Sequence, residues 1–193
     1  MQIPSADSIG GFSFPTLSTA TSSTKPSPIE REVMDLFEQF RNPLLRYVLS
    51  FGVSVHDAEE VTQEVFLSLF RHLQRGRSRK NLRGWLFRVA HNLALKLRYA
   101  NQRCPDTTGF DRTKAERQHD PSPNPEEQFS SVQRRHRLLA VVEALPEDDQ
   151  SCLRLRAEGL RYREIAVALG ISLGAVSISL TRSLARLMRA DGR

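Results

Sequence analysis

The sequence predicts an all-α protein of two small helical domains joined by a flexible linker. Apolar residues recur at steps of three and four through most of the chain between Val33 and Leu187. No segment sustains the alternation of a half-buried strand. A stretch rich in proline and acidic residues, Cys104 to Ser130, interrupts the helical pattern. The expected organisation is a disordered extension at 1–28, a three-helix domain at 29–103, a linker at 104–129 and a helix-turn-helix domain at 130–193.

Residues 1–28 are rich in serine, threonine and proline ("TLSTATSSTKPSP"), with too little apolar surface to offset ordering. From Val33 to Phe51, Leu36, Phe37, Phe40, Leu44, Leu45, Tyr47 and Val48 recur at helical spacing, with Pro43 as a kink or break. "SVHDAEEVTQEVFLSLFRHL" follows, capped by Ser54 or Asp57, with acids where the helix dipole favours them. Val61, Val65, Leu69 and Leu73 form its stripe, widened by Phe66 and Phe70. After the basic loop "QRGRSRKN", the run "LRGWLFRVAHNLALKLRYANQR" puts Leu82, Trp85, Leu86, Val89, Leu93 and Leu97 on one face.

Between the domains the linker spans roughly 30 Å as flexible coil and about 90 Å at full stretch. The second domain opens with a helix from near Phe129 to Leu145, carried by Val132, Leu138, Leu139, Val142 and Leu145. "EDDQSCLRLRAE" is a helix capped by its own acids and stopped by Gly159. "YREIAVALG" is a short helix ending at Gly170, a residue suited to the left-handed position past a helix end. Ser172 caps the last helix, Leu173 to Ala190, with the stripe Leu173, Val176, Leu180, Leu184 and Leu187. Its centre, Val176-Ser177-Ile178-Ser179-Leu180, alternates like a strand, but "TRSLARLM" breaks the alternation while the helical stripe continues. Ile178 stands outside that stripe.

The chain has 193 residues and a formal net charge of +6, with a pI of about 9.9, which suggests a polyanionic partner. Lys25 is the first basic residue and no apolar signal or membrane-spanning run follows, so the expected location is the cytoplasm. Cys104 and Cys152 lack Cys or His company and are expected as free thiols.

A short helix, a turn with glycine and a longer helix make a helix-turn-helix, whose second helix enters the DNA major groove N-terminus first. Ala166 is small where the two helices cross. Off the core stripe lie Gly174, Ala175, Ser177, Ile178, Ser179, Arg182, Ser183 and Arg186. Serines can bond bases or phosphates, Ile178 can meet a thymine methyl, and the arginines can hold phosphate or guanine.

In the first domain the charges separate. Residues 51–70 hold four acids (Asp57, Glu59, Glu60, Glu64) and no Lys or Arg; residues 71–103 hold ten Lys or Arg and no acid. A solvated surface usually mixes signs, so this division implies two surfaces with different partners. The basic segment includes Trp85, Phe87, His91, Asn92 and Tyr99, types that stack on and read single-stranded nucleic acid. Trp85 lies on the core stripe and reads as packing; Phe87, off that stripe, reads as the stacking candidate. The sequence contains no P-loop, nucleophile elbow or HExxH, and its histidines lack metal spacing. The acids around Asp57, interleaved with apolar residues, favour a protein interface over a metal site.

These blocks resemble bacterial extracytoplasmic-function (ECF) RNA polymerase sigma factors. "DAEEVTQEVFLSLFRHL" is similar to sigma region 2.2, "LRGWLFRVAHNLALKLRYANQR" to regions 2.3 to 2.4, and "LPEDDQSCLRLRAEGLRYREIAVALGISLGAVSISLTRSLARL" to region 4. The resemblance covers roughly Val33–Arg103 and Ser130–Arg189. It implies a promoter-specificity subunit without a catalytic site, cofactor, metal or membrane insertion. Its partners would be core RNA polymerase (the β′ clamp helices and the β flap), promoter DNA and an anti-sigma factor.

The resemblance places the β′ contact on Asp57, Glu59, Glu60, Gln63, Glu64, Leu67 and Phe70. It assigns opening of the −10 element to Arg77, Arg79, Lys80, Arg83, Phe87, Arg88, His91, Asn92, Lys96 and Arg103, with Gln74 to Asn81 framing a flipped base. It assigns the −35 element to Arg161, Tyr162, Arg163, Ser172, Gly174, Ser177, Ile178, Ser179, Arg182 and Arg186. The chain departs from the family at Ser177 and Ser179, where many members carry a basic residue and an arginine.

A stand-alone helix-turn-helix regulator is the alternative reading; the acid-then-basic order of residues 51–103 separates the two. A nucleic-acid enzyme such as a recombinase fragment needs a carboxylate or Ser/Tyr catalytic set near the basic surface, and residues 71–103 contain no carboxylate.

Overall fold

A computed structural model describes residues 25–103 and 125–192, with side chains of the second part described from Val132 onward. Every described regular element is a helix: α1 (Pro28–Leu49), α2 (Val55–Gln74), α3 (Leu82–Arg103), α4 (Pro125–Glu143), α5 (Glu147–Ala157), α6 (Tyr162–Leu169) and α7 (Leu173–Asp191). The expected disorder of 1–28 and the expected linker at 104–129 fall mostly outside the described residues. Where they reach described ones, Pro28 opens α1 and Pro125 opens α4.

The helix ends follow local chemistry. Ser27 and Glu30 form a capping box: the Ser27 hydroxyl accepts from the Glu30 amide at 3.2 Å and the Glu30 carboxylate from the Ser27 amide at 2.6 Å. Pro28 follows at a position where a missing N–H costs nothing. Ser54, not Asp57, caps α2, accepting from the Asp57 amide at 3.1 Å. Pro43 neither splits nor ends α1. It removes one backbone hydrogen bond, but Phe40, Leu44, Tyr47 and Val48 are buried on the same helix, and that packing outweighs the local loss.

The first three helices pack on one another around Leu44, Val48, Val65, Leu69, Leu73 and Leu86. In the second domain α4 and α5 both pack on α7, and α6 crosses it. The buried stripe of α7 is Val176, Ser179, Leu180 and Ser183. This corrects the expected stripe. Ser179 and Ser183 face inward, and Leu173 and Leu184, expected in the core, are 47% and 45% exposed. Ser179 lies beside Asp149 and Cys152 of α5, where a small side chain fits between packed helices. Val132 and Leu139 of α4 are likewise half exposed, against their expected place in the core.

The two domains share one core. Buried Cys152, Leu155, Leu160 and Ile165 join the same cluster as Tyr47, Phe87, Ala90 and Ala94, and α6 packs along α3.

Candidate nucleic-acid interface

Gly170 sits at φ 68°, a left-handed position that glycine adopts without a Cβ penalty. The chain bends by 107° between α6 and α7, within the range of a helix-turn-helix. The Ser172 hydroxyl accepts from the Ala175 amide at 3.1 Å and starts α7 cleanly. These devices leave Ser172, Gly174, Ala175, Ser177 and Ile178 exposed at the N-terminal end of α7. Ile178 is 66% exposed, an uncovered apolar side chain among small neighbours. Arg161, Tyr162, Arg163 and Arg186 are exposed as well.

Ser179 and Arg182 depart from the expected reading face. The Ser179 hydroxyl lies beside Asp149 and Cys152 without completing a hydrogen bond of ordinary geometry. Arg182 donates twice to the buried Asp149 carboxylate, at 2.9 and 2.7 Å, and so ties α7 to α5. Burial pushes the Asp149 carboxyl up, but the bonds from Arg182, with Ser179 and Arg186 nearby, outweigh it and hold it below the usual range. A depressed folded pKa means the pair stabilises fully above the unfolded value of about 3.9 and loses its effect as pH falls through the folded value. The expected result is a loss of second-domain stability in acid, below about pH 4. Circular dichroism of thermal unfolding between about pH 2 and 6 checks it; Asp149→Asn should flatten that dependence, and an unchanged slope would assign it to other carboxyls.

On α3, Arg88, Asn92, Lys96, Tyr99 and Arg103 are exposed and recur at steps of four, four, three and four, a continuous polar stripe. Arg77 and Lys80 are exposed in the loop before it. That loop is built: His72 Nε2 donates to the Ser78 carbonyl at 3.0 Å, and the His72 ring packs on Trp85 at 4.6 Å. Asn81, at φ 55°, accepts from the Gly84 amide at 3.2 Å. A Cβ on Gly84 would come within 2.8 Å of the Asn81 side-chain amide, so a larger residue here would push that cap aside.

Four expected DNA ligands are otherwise engaged. Arg79 pairs with Glu32 at 3.0 Å. Arg83 donates to the Glu158 carbonyl at 2.8 Å and lies 3.7 Å from Glu164. His91 Nδ1 shares a 2.8 Å hydrogen bond with the Tyr47 hydroxyl, and burial lowers its pKa against the opposing charge of Asp148. Phe87 is 0% exposed and meets Tyr47 edge-on at 5.6 Å, which corrects its reading as a free stacking surface. The sequence offered no warning: Phe87 lies off the predicted apolar stripe, and its contact with Tyr47, 40 residues earlier, becomes visible only in space.

On α2, Glu59, Glu60, Gln63 and Leu67 are exposed, and Asp57, Glu64 and Phe70 are half buried on the same side. Leu67 is 51% exposed within this acidic face, as expected of an apolar anchor in a protein contact. Tyr47, Asp149 and Glu158 carry no functional signal in the sequence, since each acts through a partner distant in the chain; His72 carries none either, although its partner Ser78 is six residues on. Among the described residues no group of His, Cys, Asp or Glu is placed to hold a metal, and no single helix is long and apolar enough to cross a membrane.

Residues 36–104 match the Sigma-70 region 2 family and residues 135–187 match Sigma-70, region 4. The chain is 31% identical to the ECF RNA polymerase sigma factor SigE of Mycolicibacterium smegmatis over 79% of its own length and 59% of that protein, so it spans about six tenths of this relative. It is 31% identical to the ECF RNA polymerase sigma-E factor of Escherichia coli over 66% of its own length and 70% of that protein. Two solved structures share the fold. One is the sigma factor RpoE with the anti-sigma factor NepR from Bartonella quintana (TM-score 0.58, 18% identity, 83% of this chain and 96% of that one). The other is CnrH with the cytosolic domain of CnrY (TM-score 0.55, 22% identity, 82% and 86%).

Proposed function

Because the chain belongs to the extracytoplasmic-function family of RNA polymerase sigma factors, we propose that it is a promoter-specificity subunit acting in the cytoplasm. It binds core polymerase, presents the −10 element to its first domain and the −35 element to its second, and does no covalent chemistry itself. The observation that carries this reading is the division of the first domain into an exposed acidic α2 face and an exposed basic α3 stripe. A stand-alone regulator leaves the acidic face without a task.

The α2 face with Asp57, Glu59, Glu60, Gln63, Glu64, Leu67 and Phe70 docks on the β′ clamp helices, acids at the rim and Leu67 as anchor. Arg88, Asn92, Lys96 and Arg103 follow the opened −10 strand, charge on the backbone and the amide on a base edge. The loop pinned by His72 and Asn81 frames the unstacked base. At −35, Ile178 meets thymine methyls while Ser172 and Ser177 bond nearby phosphates or bases. With serine where relatives place cations, this contact depends less on charge. The solved sigma–anti-sigma complexes of the same fold support an anti-sigma partner here as well.

Run-off transcription with purified core polymerase tests the reading: promoter-dependent transcript is expected, and its absence together with no core binding overturns it. Glu60→Ala combined with Gln63→Ala should weaken core binding by about tenfold, a hot-spot-sized loss. Both side chains are exposed, so the unfolding curve should not move.

A further inference from the structure

We propose that Glu32 is a positioning residue that turns Arg79 into a reader of guanine in the opened −10 strand. The proposal rests on the promoter-reading function above. It adds a residue that lies outside residues 36–104, the segment that matches the family.

The loop between α2 and α3 carries Arg75, Arg77, Arg79 and Lys80. Most of its hydrogen bonds are local. The Arg77 amide donates to the His72 carbonyl at 3.3 Å and the Lys80 amide to the Ser78 hydroxyl at 3.2 Å. The bond from Arg79 to Glu32 is different: it crosses 47 positions and ties the loop to α1. Glu32 is itself held in place, in the second turn of a helix started by Pro28 and the Ser27–Glu30 capping box.

The way Arg79 is held decides what it can do. Its Nε donates to both Glu32 oxygens, at 3.2 and 3.0 Å. Arg46, Arg134 and Arg182 instead give Nε and one terminal nitrogen to their carboxylates. Among the described residues neither terminal nitrogen of Arg79 has a hydrogen-bond partner, and the side chain is 54% exposed. The carboxylate thus orients the guanidinium without using the edge between its two terminal nitrogens. That edge makes paired bonds to guanine O6 and N7. An arginine oriented beforehand loses less side-chain freedom on binding than a free one.

A groove of about 540 Å³ opens beside the pair, with Leu36 and Leu82 as apolar walls and Pro28, Arg31, Glu32 and Asp35 around them. That volume leaves room for an unstacked base. Guanine matches the chemistry on both sides. It offers O6 and N7 to the arginine and an amino group to a carboxylate such as Asp35. Adenine puts an amino donor beside N7, where it meets the arginine's own donors, and the pyrimidines have no N7.

Holoenzyme assembled from the full chain and core polymerase, transcribing a promoter library randomised across the −10 element, tests this. Wild type should favour guanine at one position by about tenfold to a hundredfold. Glu32→Ala and Arg79→Lys should each remove most of that preference and leave the other positions unchanged. A surface ion pair contributes little to folding, so unfolding curves should not move. At the preferred position 7-deazaguanine, which keeps O6 and lacks N7, should lower transcription by wild type and not by either variant. Glu32→Arg with Arg79→Glu restores the ion pair without an arginine on the loop; recovery of the guanine preference there would make the brace alone responsible and overturn the proposal. A wild type without guanine preference at any −10 position, or a preference that survives Glu32→Ala, also overturns it. So does Arg79→Ala if it lowers transcript uniformly with base preferences intact, which would make Arg79 a phosphate ligand. No wild-type transcript from any promoter, with core binding lost, would remove the promoter-reading function itself and this proposal with it.

Discussion

Phe87→Ala should lower the stability of the folded protein by about 3–5 kcal/mol, the range for truncating a fully buried aromatic residue. Phe87 fills the junction of α1 and α3 edge-on to Tyr47, which itself packs against Phe51 and hydrogen-bonds His91. Removing the ring opens a cavity beside a buried phenol whose pKa burial already pushes up. Phe87→Leu keeps most of the volume and should cost less than about 1.5 kcal/mol. Urea unfolding of both variants, with binding to single-stranded −10 DNA beside it, separates packing from stacking. A Leu variant of normal stability that no longer binds the strand would restore Phe87 as a base-stacking residue.

Ile178→Glu should do the reverse. The side chain is 66% exposed on α7, so the fold should change by no more than about 0.5 kcal/mol. Contact with a −35 base pair should be lost, at about 1–3 kcal/mol per specific contact, and the new carboxylate would face phosphates. The expected result is a fall of about tenfold to a hundredfold in transcription from −35-dependent promoters, with core binding unchanged. Normal activity on every such promoter would show that α7 reads DNA through other residues.

The helices were legible in the sequence because most carry their own signals: serines at 54 and 172, a glycine at 170, and apolar steps of three and four; the Ser27 cap of α1 lay inside the expected disordered extension and was not foreseen. The α3 boundaries, Leu82 to Arg103, coincide with the predicted run. The candidate surfaces were legible where they depend on charge order alone, as on the α2 face and the Arg88–Arg103 stripe. Ile178 was legible as well, since it stands off any stripe that packs.

What failed was the assignment of faces that meet a third neighbour. Periodicity reports which side of a helix is apolar, not how many elements crowd it. Ser179 and Ser183 read as a polar outer face, yet both are buried where other helices pack on α7, because a small side chain fits there whatever its polarity. Arg182 looked like a phosphate ligand until Asp149, 33 residues earlier, supplied a buried carboxylate.

By itself, then, the sequence determined seven helices among the described residues, the Ser172 cap, the helix-turn-helix and the sign of each candidate surface, because these depend on residues a few positions apart. Only the tertiary structure decided which arginines are free and which are spent: Arg88 and Arg103 outward, Arg83 and Arg98 on the second domain, Arg182 on Asp149. An arginine's partner is chosen by proximity in space, and no local pattern encodes a carboxylate 33 or 49 positions away.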